Sequence, residues 1–555
     1  MALPVGLRRG RRPRRPIMLE MQTVTVSGSC SKAESKRDVG DAVPYKENNT
    51  EERYMRGIPS LITDIRKKVF TEVARMAYAG KGYEGVDELP YKIVPGDRPL
   101  HRESVFLERA IAGERVRLAM GLSLRPADGR HLVSEGMDAA AIAEQYYEPP
   151  LVNIIPYACH ACPTNQYKVS NYCQNCLARS CEKVCPKGAI SVRNNRSYID
   201  LEKCIRCGKC AKACPYNAIV HLERPCAASC GMDAIKSDEY GRAVIDQSKC
   251  VACGQCLVSC PFGAIVDKGQ IYQVIKSIQQ GDQVIAIVAP AFIGQFSGQA
   301  SPGKLVTAMK MLGFDRTVEV AIGADMCTIE EAKDFLEKVP QEQDYMATSC
   351  CPAWHSMIEK LYPSEMGKIS MTLTPMVFTA RLMKKHFPGC KVVFVGPCAA
   401  KKLEAIRADI RSDVDFVLTF EELMGMFEAK NIDWATVPES EGLNEGTAAG
   451  RYFAVSGGVA KAVTDLAEKE NPGLQIKTAR AEGLRDCRKL MAMAKAGKYK
   501  GYLLEGMGCP GGCVAGPGTI LPVEKAAKFV EKYSKEAVAE SPMDSPYRHV
   551  GESLD

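Results

Sequence analysis

The sequence predicts an α/β domain with mainly parallel sheets in the C-terminal half of the chain, preceded by a cysteine-rich α+β block and an N-terminal helical segment. Three observations carry this prediction. Sixteen of the 25 cysteines are crowded between Cys159 and Cys260. Beyond Lys268, short β-rich runs alternate with amphipathic helical stretches, the pattern of parallel strands joined by crossover helices. Between residues 53 and 148, apolar side chains recur at helical spacing, as in Ile62, Ile65, Val69, Val73 and Met76.

The chain is 555 residues long, enough for three or four domains of roughly 100–200 residues each. Residues 1–52 are polar and read as a disordered or mis-started tail, with Met18 and Met21 as alternative starts. The first 16 residues carry six arginines, no acid and no apolar stretch of the kind a secretory signal needs. Those arginines leave +1 of the formal +7 for everything after them, so the charge gives no reason to expect a nucleic-acid partner. Residues 53–152 form the helical segment, broken by loops at Gly80–Gly82 and Pro95–Pro99, and hold no recognisable chemistry. The longest nearly apolar run, Val284 to Gly294, spans 11 residues and contains a proline, whereas a membrane helix needs ~20. A cytoplasmic protein with no membrane partner is expected.

Residues 153–270 hold the cysteine block. In a chain with no export signal, such density indicates metal binding rather than disulfides. Two runs, Cys204, Cys207, Cys210, Cys214-Pro215 and Cys250, Cys253, Cys256, Cys260-Pro261, match the spacing of bacterial ferredoxins. There three thiolates grip one 4Fe-4S cubane and the fourth reaches the neighbouring cluster. Zinc, the other candidate, favours separated cysteine pairs. A third run, Cys173, Cys176, Cys181 and Cys185-Pro186, has the same form with two residues inserted. Cys185, Cys214, Cys230 and Cys260 are each followed by Ala at +4 and Ile at +5. This repeat marks Cys226 and Cys230 as the end of a fourth run whose start, Cys159 and Cys162, is displaced along the chain. Four clusters then use all sixteen cysteines. Sharing each fourth cysteine across runs predicts the sets Cys204/Cys207/Cys210/Cys260, Cys250/Cys253/Cys256/Cys214, Cys173/Cys176/Cys181/Cys230 and Cys159/Cys162/Cys226/Cys185. Three clusters, with Cys159 and Cys162 idle or holding another metal, remain the alternative. His160 is either a further ligand or a bystander.

Residues 271–530 carry the β-rich runs Val284 to Val288, Tyr345 to Thr348, Lys391 to Val395, Asp415 to Thr419 and Tyr499 to Leu504. Residues 531–555 are a helix end and tail. Three of the runs lead into cysteine loops: TSCCPAW at 348–354, VGPCAAKKLE at 395–404 and EGMGCPGGCVAG at 505–516. Parallel strands bring their C-terminal ends to one edge, so these loops are expected to converge on one crevice. Four thiolates from three loops suit a further cubane, and the Gly-rich turn around Cys509 and Cys513 permits close backbone approach. Spacing alone stops at a buried iron–sulfur site.

In order and approximate separation, these loops resemble the three H-cluster signatures of the iron–iron hydrogenases, a resemblance covering about residues 150–525. It implies an H-cluster domain behind a ferredoxin-like one. In that family a 4Fe-4S cubane is bridged through one cysteine to a two-iron unit bearing CO, cyanide and an azadithiolate. By the resemblance, Cys351, Cys398, Cys509 and Cys513 bind the cubane, with Cys513 as the bridge, and Cys350 passes protons to the bridging amine. The proton path continues to Glu331, Ser370, Asp334 and Lys338, the last two replacing the family's usual Glu and Arg. On the residues alone, the i, i+3, i+7 spacing of Glu331, Asp334 and Lys338 is equally that of a solvated charged stripe. Lys401 matches the lysine that hydrogen-bonds a cyanide, and Glu404 a motif position with a structural or proton-linked role. Met507 packs on the two-iron unit or simply in the core.

Departures from the family pattern resemble its less-studied group B branch. Gly396 stands where Met is usual, Ala291 lines the cofactor where a small polar residue is common, and Val514-Ala515-Gly516-Pro517 replaces a three-glycine run. The resemblance implies an enzyme that interconverts H2 with protons and electrons, fed by a ferredoxin or another redox protein and served by hydrogenase maturation proteins. No GxGxxG follows a strand and no P-loop is present, so no nicotinamide, flavin or ATP site is expected. Two other functions share much of this chemistry. A hydrogen sensor keeps the cofactor with little turnover, but no output module is evident. An iron–sulfur assembly protein binds cubanes without the two-iron unit and has no use for Cys350 beside Cys351.

Overall fold

The computed structural model describes residues 60–140, 148–550 and 554, so the expectation for the tail 1–52 lies outside the described residues. The helical segment opens with the helix Leu61–Tyr78. Ser60 starts it: its hydroxyl accepts the Thr63 N–H at 3.2 Å, while the Thr63 hydroxyl accepts the Ser60 N–H at 3.1 Å. Its buried face, Val69, Phe70, Val73 and Ala77, packs on the helix Phe420–Ala429 far along the chain. Gly425 permits that approach, since a Cβ there would lie 2.5 Å from Phe70. The segment is therefore a clamp on the C-terminal domain.

Eight short strands follow: β1 (Val152–Ile154), β2 (Gln166–Val169), β3 (Ile190–Arg193), β4 (Arg196–Ile199), β5 (Ile219–Leu222), β6 (Ile235–Ser237), β7 (Ala243–Ile245) and β8 (Ile265–Asp267). All pair antiparallel, β1 with β8, β2 with β5, β3 with β4 and β6 with β7. These pairings describe one fold used twice. In each copy a terminal strand pair encloses a hairpin, with a cysteine run on either side of it. The copy closed by β2 and β5 is inserted into the other, between Cys162 and Cys226. This is why Cys159 and Cys162 are displaced from Cys226 and Cys230 in the sequence.

The C-terminal domain adds β9 (Val284–Val288), β10 (Arg316–Glu319), β11 (Tyr345–Ala347), β12 (Lys391–Gly396), β13 (Phe416–Thr419), β14 (Lys477–Glu482) and β15 (Tyr502–Met507). They form two sheets, ordered β10-β9-β12-β13 and β11-β15-β14, with every neighbour parallel. The expected α/β class with mainly parallel sheets is the one observed. Central β9 is buried along its whole length, which explains its unbroken apolar sequence. β10 and β14 lie outside the expected runs, and β15 is shifted against its own. β14 reads KTARAE, with no large apolar residue, and is a half-exposed edge strand whose backbone pairs with β15 over six residues. β15 starts three residues later than expected and runs on to Met507, delivering its cysteine loop directly from the strand end.

Among the described residues, no helix is long and apolar enough to cross a membrane.

Candidate active site and metal centres

The sixteen clustered cysteines converge in four groups. Cys173, Cys176, Cys181 and Cys214 line one small pocket, Cys185, Cys204, Cys207 and Cys210 a second, and Cys159, Cys162, Cys226 and Cys260 a third. In the fourth group, Cys230, Cys250 and Cys253 surround Cys256 closely enough for each to raise its pKa. Local geometry repeats with the cysteines. The residue two after the first cysteine of each run is left-handed, at Ala161, Asn175, Arg206 and Ala252. The residue three after each last cysteine is too, at Gly188, Asn217, Asp233 and Gly263, where Gly, Asn and Asp tolerate positive φ best. The +4 alanines turn their amides onto sulfur: Ala189 to Cys185 at 3.3 Å, Ala218 to Cys214 and Ala234 to Cys230 at 3.4 Å.

These groups correct all four predicted cysteine sets. The fourth cysteines are exchanged within each copy of the fold, so Cys214 joins Cys173/Cys176/Cys181 and Cys185 joins Cys204/Cys207/Cys210. Cys260 joins Cys159, Cys162 and Cys226, and Cys230 joins Cys250/Cys253/Cys256. The physical reason is the strand pairing: β2 with β5 and β1 with β8 bring the two runs of one copy face to face. His160 stacks on Phe262 at 4.0 Å and meets Arg102 at 2.7 Å through its Nε2, so that nitrogen is already engaged.

The second sheet supplies the cysteine loops after β11 and β15, and the first sheet the loop after β12. They meet in one almost wholly apolar cavity of about 90 Å³, lined by Cys350, Cys351, Cys398, Cys509 and Cys513 together with Ala291, Met507 and Lys401. Lys401 is the single charged side chain in that lining. Burial pushes the Cys398 thiol up to about 11 and that of Cys513 to about 12, and raises Cys509 and Cys350 well above the ordinary range. Buried thiols of this kind are held as thiolates by a bound metal. The turn around them has no room for side chains. A Cβ at Gly508 would sit 3.0 Å from that of Ala353, and one at left-handed Gly512 would lie 2.6 Å from the Ser456 backbone nitrogen. Thiol-rich, dry and backed by glycine, the cavity fits an iron–sulfur group.

Around it lie the remaining candidates. Glu331 is fully buried, and its Oε1 accepts the Ser349 N–H at 3.1 Å. Burial raises its carboxyl to about 7, against the opposing pull of the Ser349 amide and the Ser349 and Ser370 hydroxyls. Its charge in turn raises Cys350. Asp334 and Lys338 form an ion pair at 3.0 Å, with 25% and 37% of their side chains exposed. Burial opposes the charge on Lys401, but Glu404 at 2.6 Å outweighs it and holds the ammonium above its usual range. Thr374 completes that corner, accepting from Lys401 at 3.0 Å and donating to Glu404 at 2.7 Å.

Two residues escaped the sequence reading. Gln255 donates from its Nε2 to the Cys509 sulfur at 3.2 Å, linking the Cys250 run to the cavity. Lys402, next to Lys401, is buried the opposite way, 2.8 Å from Asp267 and 3.1 Å from Glu422. Neither carries a motif signal; only the packing of distant segments gives each its partner.

Comparison with known proteins bears directly on this cavity. Residues 282–517 match the family "Iron only hydrogenase large subunit, C-terminal domain", and residues 197–220 and 243–266 match the 4Fe-4S binding domain. Iron hydrogenase 1 of Clostridium pasteurianum is 30% identical over 394 residues, 61% of this chain and 68% of that one. The chain belongs to the iron-only hydrogenase family. As such it is a hydrogenase-like oxidoreductase with a ferredoxin-like 4Fe-4S region ahead of the H-cluster domain. The periplasmic [Fe] hydrogenase large subunit of Nitratidesulfovibrio vulgaris is 29% identical over 298 residues, covering 44% of this chain and 71% of that one. A probable cytosolic Fe-S cluster assembly factor of Drosophila mojavensis is 27% identical over 301 residues, 44% of this chain and 63% of that one.

Proposed function

We propose that the chain is an iron–iron hydrogenase of the group B branch, interconverting H2 with protons and electrons that move through four accessory 4Fe-4S clusters. The observation that carries this reading is the single apolar cavity in which five cysteines meet Lys401. Cys351, Cys398, Cys509 and Cys513 would hold the cubane, and Cys513 would also serve the two-iron unit. When bound, that unit supplies the centre at which H2 is split or formed. The chain's own residues orient it, keep water out and move protons. Cys350 carries the proton between the cavity and Glu331, whose pKa of about 7 suits transfer in both directions. From there Ser370 and Asp334 lead outward, with exposure rising along the way from a fully buried Glu331 to a quarter-exposed Asp334. Lys401, positioned by Glu404 and Thr374, offers its ammonium to an anionic ligand of the two-iron unit. Ala291 and Met507 complete the dry wall. The branch assignment rests on Gly396, Ala291 and the altered third loop.

Infrared spectroscopy of anaerobically matured protein tests the reading. CO and cyanide bands are the expected result. Cubanes that load fully while those bands stay absent would favour the second reading, an iron–sulfur assembly role, which the likeness to the assembly factor keeps open.

A further inference from the structure

Two cysteine groups from different parts of the chain meet around one side chain. Burial raises the Cys509 thiol, and Cys253 of the Cys250 group lies close enough to add to that rise. Cys351 does the same to Cys253, whose thiol burial pushes up to about 12. Gln255 stands between the groups. Its side-chain Nε2 donates to the Cys509 sulfur at 3.2 Å, and its backbone amide hydrogen-bonds the Cys253 sulfur. One residue thus serves a sulfur of each group, through two separate N–H donors.

Packing holds Gln255 in that place. Gly254, just before it, is left-handed at φ 75°, and a Cβ there would lie 2.5 Å from Pro517 and 3.4 Å from that of Ala399. Buried Pro517 belongs to the stretch in which this chain departs from the family's three-glycine run, and Ala399 follows Cys398 directly. The turn of the Cys250 run is therefore pressed against two of the three H-cluster loops. On its other side Gln255 opens the short helix Gln255–Ser259, and the Ser259 hydroxyl donates to the Gln255 carbonyl at 2.9 Å. A half-buried amide fixed from both sides has little rotamer freedom left to lose in bonding to sulfur.

A hydrogen bond to a ligand sulfur stabilises the reduced, more negative state of a cluster more than the oxidised state, so it raises the reduction potential. In an almost wholly apolar surrounding that effect is little screened. The other donors to the four expected ligand sulfurs are backbone amides: Gly508 to Cys351 at 3.4 Å, and Lys401 and Ala400 to Cys398. Substituting a side chain leaves those in place. Among the described residues, Gln255 is the side-chain donor to these sulfurs.

We propose that Gln255 sets the reduction potential of the cubane held by Cys351, Cys398, Cys509 and Cys513, raising it through the Cys509 sulfur. It is a positioning residue, acting on a ligand rather than on the cofactor itself. The bond favours passage of an electron from the cluster of the Cys250 group to the cubane: one electron moves, the first cluster is oxidised, the second is reduced, and no bond forms or breaks. The inference rests on the cubane reading of the preceding subsection, and neither on the two-iron unit nor on H2 chemistry.

The test is a redox titration, followed by electron paramagnetic resonance, of the full chain loaded with its cubanes but without the two-iron unit. Comparison with Cys509→Ala identifies the component that belongs to the cubane. Gln255→Leu keeps the bulk and removes the donor. It should lower that component's midpoint by about 59 mV, a roughly tenfold shift of a one-electron equilibrium. The Cys250 group, bonded by the Gln255 backbone, should stay where it was. Gln255→Glu should move the cubane further in the same direction, because a carboxylate brings charge and no donor. Unchanged midpoints with iron retained would overturn the proposal, as would a shift confined to the Cys250 group. Loss of the cubane's iron in both variants would overturn it too, by showing that the side chain only holds the loop in place. Failure of the underlying cubane reading looks different, since Cys509→Ala would then remove no component and both would fall together.

Discussion

Lys401 and Lys402 stand side by side after β12, yet one ammonium turns to the cysteine cavity and Glu404 at 2.6 Å while the other neutralises Asp267 at 2.8 Å. Residue roles here follow from which cavity a side chain enters. Cys350 is the clearest case, a thiol that lines the cavity but belongs to none of the four expected cubane positions. Cys350→Ala should therefore retain the infrared bands of the loaded cofactor and lose at least ~100-fold in H2 turnover, the usual contribution of a positioned proton-transfer group. Wild-type turnover in a sample with matched bands would remove Cys350 from the path. Glu331 offers a pH signature. Its carboxyl is raised from 4.5 to about 7 by burial, so the folded chain keeps a proton that the unfolded chain releases. The stability tied to that proton is complete below about 4.5 and is lost as pH rises through 7, by up to roughly 3 kcal/mol. In Glu331→Gln this loss is gone. The unfolding midpoint of the variant should gain on that of the wild type between about pH 5 and pH 8, and a gap constant across that range would contradict the buried, protonated carboxyl.

At the scale of elements, β12 ends where the family pattern is broken. Gly396 leaves space that the Phe394 ring fills, since a Cβ at Gly396 would lie 2.5 Å from that ring. Gly396→Met, which restores the usual residue, should cost about 1–3 kcal/mol by overpacking and recover when Phe394→Ala is added. Additive losses, measured by thermal unfolding of the four forms, would show that the two positions do not share one space. The nested cysteine runs make a second element-level prediction. Cys214→Ala should remove the cluster shared with Cys173, Cys176 and Cys181, lowering bound iron by about four per chain and leaving the signal of the Cys250 group intact. Loss of the Cys250 group instead would restore the sharing expected from spacing. β14 shows why some elements are illegible locally: its polar residues become a strand only because β15 offers backbone partners.

Across the whole molecule, a buried ion network ties the parts together. Arg66 of the first helix meets Glu421 at 2.6 Å and Asp267 at 3.4 Å, and Asp267 in turn meets Lys402. One charge cluster thus joins the helical segment, the end of the ferredoxin-like region and the H-cluster domain, where its value is in register as much as in stability. Among the described residues the inserted copy has no such anchor. Its own apolar core consists of little more than Ile190, Ile199 and Ile219 against cysteines. Clusters must supply most of its folding free energy. Fully reconstituted chain should carry about twenty irons from five cubanes before any two-iron unit is added. Stripping that iron should expose 163–222 to proteolysis first, with 271–530 resisting longer. Simultaneous cleavage of both would mean that the inserted copy folds without its clusters.

The sequence by itself determined what is local. Three thiolates around one cubane face need only a short, glycine-permissive loop, so the cysteine triples and the +4 alanine repeat could be read from spacing. Spacing also marked the three cysteine loops of the C-terminal domain as a buried iron–sulfur site; their H-cluster identity came from the family resemblance. The class of the C-terminal domain was equally legible, because buried parallel strands such as β9 must be apolar throughout. Tertiary structure alone decided what depends on contacts between distant segments. Which fourth cysteine completes which set follows from the pairing of β2 with β5 and β1 with β8, and sequence spacing holds no information about that pairing. The same holds for Gln255 reaching Cys509 and for Lys402 reaching Asp267. A cubane face is built within one turn of chain, whereas closing a site across one hundred residues or more is settled by strand register and core packing.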